Sequence, residues 1–223
     1  MEIEKIAQIK TDFPTKFGIP RQSGIVKRLR GKIIFEPKYN SADAIRGIEG
    51  FSHLWIVWGF SENESAKYNA TVRPPRLGGN TRIGVFASRS PFRPNGLGLS
   101  LVKLEKIEKS DKHGHILVVS GVDMVDATPI YDIKPYLPGT DYAEDAVGGF
   151  AEKIDEYRLE VKCDRKLLSV LDEERAQILL DILAEDPRPS YIDDPDRVYG
   201  FPYAGHEIKF KVEEKCLTVI SIE

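Results

Sequence analysis

The sequence predicts a mainly β protein in which a single-sheeted antiparallel β-barrel is followed by a small α+β unit. Short stretches rich in β-branched residues recur through residues 1–137, with few helical patterns between them. Such spacing favours a meander or closed barrel over an alternating parallel sheet. The composition turns acidic near residues 138–150, and the one clear amphipathic helix lies beyond that point. We therefore expect a barrel domain over residues 1–140 and a smaller domain over residues 141–223.

Strand-like segments follow one another along the first part of the chain. They cover residues 3–9, 24–35, 54–60, 83–86, 98–107 and 115–122. The segment 54–60 is continuously apolar, which indicates a strand buried on both faces. Residues 111–115 have the composition of a hairpin turn between the last two strands. One short helix is expected over residues 42–48, with Ser41 as its N-cap and Gly50 ending it.

The last third of the chain has a different pattern. Residues 167–185 include Ala176, Leu179, Leu180 and Leu183, whose spacing forms one apolar stripe on a helix. Residues 206–212 and 216–222 alternate apolar and polar side chains around a polar turn, which predicts a β-hairpin. We expect this hairpin to pack near the helix.

Composition places the chain among soluble globular proteins. It has 223 residues, of which 41% are hydrophobic, and this is enough for a packed core. It contains no run of eighteen apolar residues, and its first ten residues alternate charged and apolar side chains, unlike a signal peptide. We therefore expect a cytoplasmic location. Cys163 and Cys216 are far apart in sequence, which favours reduced thiols over a disulfide framework or a metal site.

The net charge of −3 is unevenly distributed along the chain. Residues 1–140 hold 21 Lys and Arg against 14 Asp and Glu, whereas residues 141–223 hold 11 against 21. A basic first part suits a polyanionic partner such as nucleic acid. The alternative is that the asymmetry serves only solubility.

Residues 86–100 are the most informative segment, and their two arginines, two prolines and two glycines predict a rigid binding loop. This segment lies within a longer cationic stretch, residues 65–104, which we call the cationic loop. Residues 65–104 contain no Asp or Glu, and Pro74, Pro75, Pro91 and Pro94 stiffen the backbone. The basic residues of this segment are Lys67, Arg73, Arg76, Arg82, Arg89, Arg93 and Lys103. This pattern predicts an anion site, for carboxylate or for phosphate.

Acidic residues cluster in a second unusual segment. Asp123, Asp126 and Asp132 lie among apolar residues and prolines, where an unpaired buried carboxylate would be costly. Their partners are either the arginines of the cationic loop, in a structural network, or the hydroxyls and amines of a ligand. A metal-dependent hydrolase is disfavoured because the segment offers carboxylates without neighbouring histidines or cysteines.

Three long motifs in this chain resemble a known family. Residues 71–80, 84–100 and 126–138 closely resemble the TsaA-like, TrmO-type tRNA (adenine-N6)-methyltransferases, and residues 186–189 and 197–200 resemble the carboxyl-terminal signature of that family. The resemblance implies S-adenosylmethionine-dependent methylation of N6 of the threonylcarbamoyl-adenosine immediately 3′ of the anticodon, at position 37 of tRNA. It also implies a single-sheeted β-barrel and a homodimer.

The resemblance assigns cofactor contacts by motif. The residues implied are Pro20, Arg21, Gln22, Ser61, Glu62, Arg89, Leu99, Asp126, Ala127, Thr128 and Pro129. Within this set we assign Arg89 to an anionic group of the cofactor, Asp126 to a hydroxyl or amine, and Leu99 to the adenine face.

The reaction sets one further requirement. A methyl sulfonium is already activated, so the protein mainly positions the reactants and excludes water. The acceptor nitrogen is a poor nucleophile because its lone pair is drawn into the purine ring, so a carboxylate should accept its proton. Asp126 is our candidate for this catalytic role, and Asp132 is the alternative.

Contacts to tRNA are assigned by charge. Arg73, Arg76 and Arg93 are candidates for phosphate contacts. Tyr191, Tyr199 and Phe201 could stack on loop bases, although we favour packing in the core of the carboxyl-terminal unit. The alternative function is a non-catalytic RNA-binding barrel, in which the cationic loop binds phosphate and the Asp126 segment is structural.

Overall fold

The fold is built mainly from β-strands, which form two larger sheets and a small two-stranded ribbon. The computed structural model describes residues 2–61, 67–74, 77, 80–152, 158–188 and 194–223. Within them the strands are β1 (Ala7–Lys10), β2 (Arg30–Phe35), β3 (His53–Gly59), β4 (Thr71–Val72), β5 (Ile83–Gly84), β6 (Leu97–Ser110), β7 (Gly114–Ser120), β8 (Pro129–Pro135), β9 (Glu160–Lys162), β10 (Tyr199–Tyr203), β11 (His206–Glu213) and β12 (Cys216–Ile222). The mainly β fold predicted from the sequence is confirmed.

The helices are few and short. They are α1 (Pro138–Asp141), α2 (Arg165–Leu168) and α3 (Glu173–Ala184), with 3-10 turns at Pro37–Tyr39, Ile48–Gly50, Val85–Ala87 and Gly149–Ala151. None of the helices in the described ranges is long and apolar enough to span a membrane.

The larger sheet closes on itself as a barrel in the order β1-β2-β7-β6-β3-β8. Every neighbouring pair is antiparallel, and β8 closes the ring by pairing with both β3 and β1. Alternate residues point inward because side chains alternate along a strand. Ile9, Ile33, Leu54, Leu117 and Ile130 are fully buried in this interior. β4 and β5 form a separate two-stranded ribbon.

Burial along β3 alternates, so the prediction that this strand is buried on both faces was wrong. Leu54, Ile56 and Trp58 are buried, whereas Trp55 and Val57 are only half-buried. A strand of a barrel has one face inside and one face outside, and the apolar residues on the outer face of β3 made the run look fully buried. The hairpin turn expected between β6 and β7 is confirmed.

Two helix predictions were wrong in their extent. Residues 42–47 form turns and not a helix, because the segment is too short to nucleate one and ends at Gly47, whose φ is 87°. Ser41 Oγ still accepts a hydrogen bond from the Ala44 backbone N–H at 3.1 Å. The long helix expected over 167–185 is divided into α2 and α3, because Asp172 caps a new start by accepting from the Arg175 N–H at 2.8 Å.

The carboxyl-terminal sheet has the order β10-β11-β12-β9, with β9 parallel to β12. The predicted hairpin is confirmed as β11 and β12. Helix α3 buries Ile178, Leu179, Ile182 and Leu183, so its buried stripe is shifted from the one predicted.

The segment 12–21 connects the barrel to the carboxyl-terminal unit. The Phe13 ring stacks on Phe201 with centroids 6.3 Å apart, and the Arg175 guanidinium donates to both carboxylate oxygens of Asp12, at 2.8 and 3.2 Å. Arg21 donates to the backbone carbonyls of Asp186 and Arg188 at 3.3 and 3.2 Å. This segment continues directly into residues 20–22, so the carboxyl-terminal unit supports one wall of the cavity described next.

Candidate active site

A cavity of about 560 Å³ lies at the end of the barrel where β3 ends and β6 begins. Its volume falls within the range of roughly 300–1,000 Å³ that small-molecule sites occupy. Its walls are residues 16 and 19–22, β3 with residues 60–61, residues 88, 89 and 93 of the cationic loop, residues 97–99 at the start of β6, and the turn that follows β7. Segments distant in sequence therefore meet at one site.

Aromatic and aliphatic side chains form the apolar part of the cavity. The Trp58 and Phe60 rings meet edge to face with centroids 4.5 Å apart. Gly98 lies directly under Trp58, and a Cβ atom built on Gly98 would be 2.3 Å from Cε2 of the indole. Only glycine allows the indole to approach this closely. Leu99, which is 56% exposed, extends the apolar wall toward solvent.

A buried hydrogen-bond chain ends at an acid in the cavity wall. Trp58 Nε1 donates to Ser100 Oγ at 2.8 Å, and Ser100 Oγ donates to Asp123 Oδ1 at 2.6 Å. Ser100 is fully buried, so its hydroxyl is fixed between these two partners. The Asp123 carboxylate also accepts a hydrogen bond from the Ser23 backbone.

Burial raises the pKa of the Asp123 carboxyl above its ordinary value. The Ser100 hydroxyl, the Ser23 backbone and the positive charge of Arg89 oppose this effect, but burial is the larger cause. A carboxylate that is harder to ionise is also a stronger base. Asp123 thus has the character expected of a proton acceptor.

The rim of the cavity is cationic. Arg89 donates to Gln22 Oε1, and this bond occupies one of the five N–H groups of its guanidinium. Arg21 is held by the backbone carbonyls of the carboxyl-terminal unit described above. Arg93 donates to the carbonyls of Ser88 at 2.7 Å and Val85 at 3.3 Å. Positive charge therefore surrounds an apolar cavity, and the partly buried Asp123 is the acid among its described lining residues.

The structure brings together most of the residues assigned from the sequence to the cofactor. Those in the cavity lining are Pro20, Arg21, Gln22, Ser61, Arg89, Leu99 and Thr128. Asp126, Ala127 and Pro129 are not part of that lining. Glu62 and Arg76 lie outside the described residues.

Asp126 acts within the turn between β7 and β8. Its Oδ1 accepts from the Thr11 N–H at 2.9 Å, and its Oδ2 lies 3.8 Å from Lys10 Nζ. The next residue, Ala127, has a φ of 62°, and Thr128 Oγ1 donates to the Val125 carbonyl at 2.7 Å. Asp126 therefore anchors this turn to the end of β1. The turn in its place brings Val125 and Thr128 to the cavity.

Asp132 also lies away from the cavity lining. Its carboxylate is 2.8 Å from Lys134 Nζ and accepts from the Ile133 N–H. Of the three acids singled out in the sequence, Asp123 is the one in the cavity wall. Its neighbours Val122 and Met124 are both buried. No periodicity in the sequence distinguished Asp123 from the other two acids, because it lies outside the regular strands. Within the described parts of the chain, no three His, Cys, Asp or Glu side chains are grouped to hold a metal ion.

The residues assigned to RNA separate in space. Arg73 is exposed and lies outside the cavity lining, whereas Arg93 is part of it and organises the loop. Tyr199 and Phe201 are buried in the carboxyl-terminal sheet, so the favoured interpretation of core packing is confirmed. Tyr191 lies outside the described residues. Trp58, Phe60, Gly98 and Ser100 were not assigned to the site from the sequence, since their apolar run and strand pattern indicated core.

Comparisons with known proteins cover the whole chain. The family profile of the tRNA-methyltransferase O N-terminal domain matches residues 8–142, and that of the TrmO C-terminal domain matches residues 156–223. The tRNA (adenine(37)-N6)-methyltransferase of Escherichia coli strain K12 is 38% identical over 230 aligned positions, covering 100% of this chain and 97% of that protein. The protein of the same name from Eikenella corrodens is 45% identical, covering 74% of this chain and 92% of that protein. A crystal structure of TrmO from Pseudomonas aeruginosa matches with a TM-score of 0.79 at 29% identity, covering 100% of this chain and 98% of that chain.

Proposed function

The chain belongs to the tRNA-methyltransferase O family, and on that premise we propose that it transfers a methyl group from S-adenosylmethionine to N6 of adenine 37 in tRNA. The observation that carries the proposal is the cavity at the barrel end. It combines an apolar aromatic wall, a cationic rim and the partly buried acid Asp123. These are the chemical groups that a charged methyl donor and a purine acceptor require.

The lining residues fit S-adenosylmethionine. Leu99, Trp58 and Phe60 offer apolar surface for a purine ring, and the Arg89 guanidinium retains N–H groups for a carboxylate. When bound, the cofactor supplies a methyl group already activated by its sulfonium. We assign cofactor contacts to Pro20, Arg21, Gln22, Ser61, Arg89, Leu99 and Thr128. Asp126, Ala127 and Pro129 support the site by shaping the turn that carries Thr128.

Asp123 is the proton acceptor in this proposal. It lies in the cavity wall, its carboxyl has a raised pKa, and Ser100 and Trp58 hold it in one orientation. A carboxylate of raised basicity removes a proton from a weakly nucleophilic nitrogen more readily than one with an ordinary pKa. Asp126 is assigned a positioning role because its carboxylate is bonded to Thr11, outside the cavity lining.

The finer assignments follow the family resemblance. We propose that the acceptor is the threonylcarbamoyl derivative of adenine 37, whose threonyl carboxylate would need a cationic partner. The rim has several guanidinium groups, from Arg21, Arg89 and Arg93, so it can neutralise more than one carboxylate. We also propose that the protein acts as a cytoplasmic homodimer, with residues 1–140 and 141–223 as its two domains and Arg73 as a phosphate contact.

The test is direct methylation. The protein is incubated with labelled S-adenosylmethionine and tRNA lacking the modification, once with and once without the threonylcarbamoyl group, and mass spectrometry identifies the labelled nucleoside. Label on adenine 37 only in the first sample supports the full proposal. Label on adenine 37 in both samples would show that methylation does not require the threonylcarbamoyl group. Binding of tRNA without any label would favour the non-catalytic RNA-binding barrel.

Two matched variants test the assignment of the acid. Asp123→Asn should abolish turnover at saturating cofactor while tRNA binding persists. Asp126→Asn should lower stability but keep the pH dependence of the remaining turnover, because it leaves the proton acceptor in place. The assignment is refuted if Asp123→Asn turns over at the wild-type rate.

A further inference from the structure

An exposed phenyl ring is held on a rigid turn beside the cavity. Phe86 is 73% exposed, yet its neighbour Val85 is buried and anchors the 3-10 turn Val85–Ala87. The Val85 N–H donates to the Ala70 carbonyl at 3.0 Å, and Ser88 Oγ donates to the Val85 carbonyl at 2.8 Å. The backbone that presents the ring is therefore fixed from both sides.

Arg93 connects this ring to the cavity. Its guanidinium carbon lies 5.9 Å from the centroid of the Phe86 ring, while its N–H groups bond the Val85 and Ser88 carbonyls. Arg93 also lines the cavity. The Phe86 ring and the cavity therefore share Arg93 as a common neighbour, so a group stacked on Phe86 would lie on the same side of the molecule as a group bound in the cavity.

The residues around Phe86 favour the binding of a polyanion. Residues 65–104 contain no acid, and two more aromatic side chains of that segment, Tyr68 and Phe92, are exposed. Arg73, Arg82 and Arg89 of the same segment are also exposed. Exposed aromatic rings among cations bind single-stranded nucleic acid, because bases stack on the rings and phosphates contact the cations.

We propose that Phe86 is a stacking platform for a base that flanks the target adenine in the anticodon loop. The inference rests on the proposed function, and it adds the residue that holds the neighbouring nucleotide. The contact places a splayed loop base against the exposed phenyl face, and Arg93 supports the opposite side of the platform by a cation–π contact. A protein partner fits less well, since a cationic, acid-free surface repels a second copy that presents the same surface.

The experiment uses an anticodon stem-loop RNA with 2-aminopurine next to the target adenine. Stacking quenches 2-aminopurine fluorescence, and anisotropy gives the dissociation constant at constant salt. Phe86→Ala and Phe86→Leu should weaken binding by about 5- to 150-fold, the range for loss of one base–aromatic stack, and should relieve the quenching. Phe86→Trp should restore both signals because it keeps an aromatic face.

Phe51→Ala is the matched control. Phe51 is an exposed phenylalanine that precedes β3, at the opposite end of that strand from the cavity. This variant should bind RNA like the wild type. Melting temperature and S-adenosylmethionine affinity are measured for every variant, and both should stay at the wild-type level in Phe86→Ala, because the Phe86 side chain is mostly exposed.

The outcomes separate the two proposals. Wild-type RNA affinity and quenching in all Phe86 variants would overturn the platform while leaving methylation intact. A Phe86→Ala protein that changes oligomeric state and loses RNA binding only as a consequence would overturn it in favour of a protein interface. If the wild type methylates no adenine but Phe86 still controls RNA binding and quenching, the platform stands and the proposed function fails.

Discussion

Gly18 packs so closely against Phe201 that a Cβ atom built on Gly18 would lie 2.4 Å from Cδ2 of the phenyl ring. Gly18 belongs to the segment before Pro20, and Phe201 is a fully buried residue of β10. The backbone of the segment 12–21 therefore packs directly against the Phe201 ring of the carboxyl-terminal sheet at this point. This contact fixes the wall of the cavity that Pro20, Arg21 and Gln22 supply.

Replacing Gly18 by alanine should be strongly destabilising. Its φ of 90° strains any residue with a Cβ atom, and the new methyl group would collide with a buried ring. Together these effects should lower the free energy of unfolding by about 2–5 kcal/mol, measured by urea denaturation. Gly24→Ala is the control, because Gly24 has a φ of 80° but no atom within 4 Å of a built Cβ. Equal losses in both variants would show that the contact with Phe201 contributes nothing.

Gly98→Ala should weaken cofactor binding. The added methyl group would displace the Trp58 indole and break its hydrogen bond to Ser100, which orients Asp123. We expect the dissociation constant for S-adenosylmethionine to rise by about tenfold, a loss of about 1.4 kcal/mol, in titration calorimetry. Gly96→Ala, two residues away with open space around a built Cβ, should bind like the wild type. If Gly98→Ala bound S-adenosylmethionine with wild-type affinity, Trp58 would not be part of the cofactor site.

Asp123→Asn should stabilise the protein at neutral pH even though it removes activity. The raised pKa of Asp123 means that the folded state holds its proton more tightly than the unfolded state. The free energy of unfolding therefore falls as the pH rises from the ordinary value of 3.8 through the raised pKa, and the loss is complete above it. Asparagine avoids this loss and can still accept from Ser100.

The measurement is urea denaturation of both proteins over a series of pH values. The advantage of Asp123→Asn should be largest at pH 7 and should disappear as the pH falls below the ordinary pKa of the carboxyl. A variant that is less stable than the wild type at every pH, by a constant amount, would contradict the raised pKa.

Arg73→Gln should reduce the salt dependence of tRNA binding. Arg73 is exposed, and a phosphate contact releases counterions from the RNA. The slope of log K against log salt should become shallower by about 1 when one such contact is lost. Lys162→Gln, an exposed cation of β9 in the acidic part of the chain, is the control and should leave the slope unchanged. The same slope in Arg73→Gln and wild type would exclude a phosphate contact at Arg73.

The sequence determined the local elements and the chemistry of the segments. Period-two patterns predicted the β11–β12 hairpin, and the long motifs around residues 71–100 and 126–138 carried enough specific residues to identify the family. The cationic, acid-free loop was also evident, because it depends only on which residues are present. These properties are local, so no long-range contact was needed to recognise them.

Only the tertiary structure decided which acid lies in the cavity wall. Asp123 and Asp126 are three residues apart in an irregular turn, so neither strand nor helix periodicity predicts where their side chains point. Partners far along the chain decide the environment of each acid. The Thr11 backbone N–H donates to Asp126, and the Ser100 hydroxyl donates to Asp123. The same holds for Phe86 and Phe201. The Phe86 ring is exposed and the Phe201 ring is buried because different residues pack around them. The sequence alone does not show which residues pack around each ring.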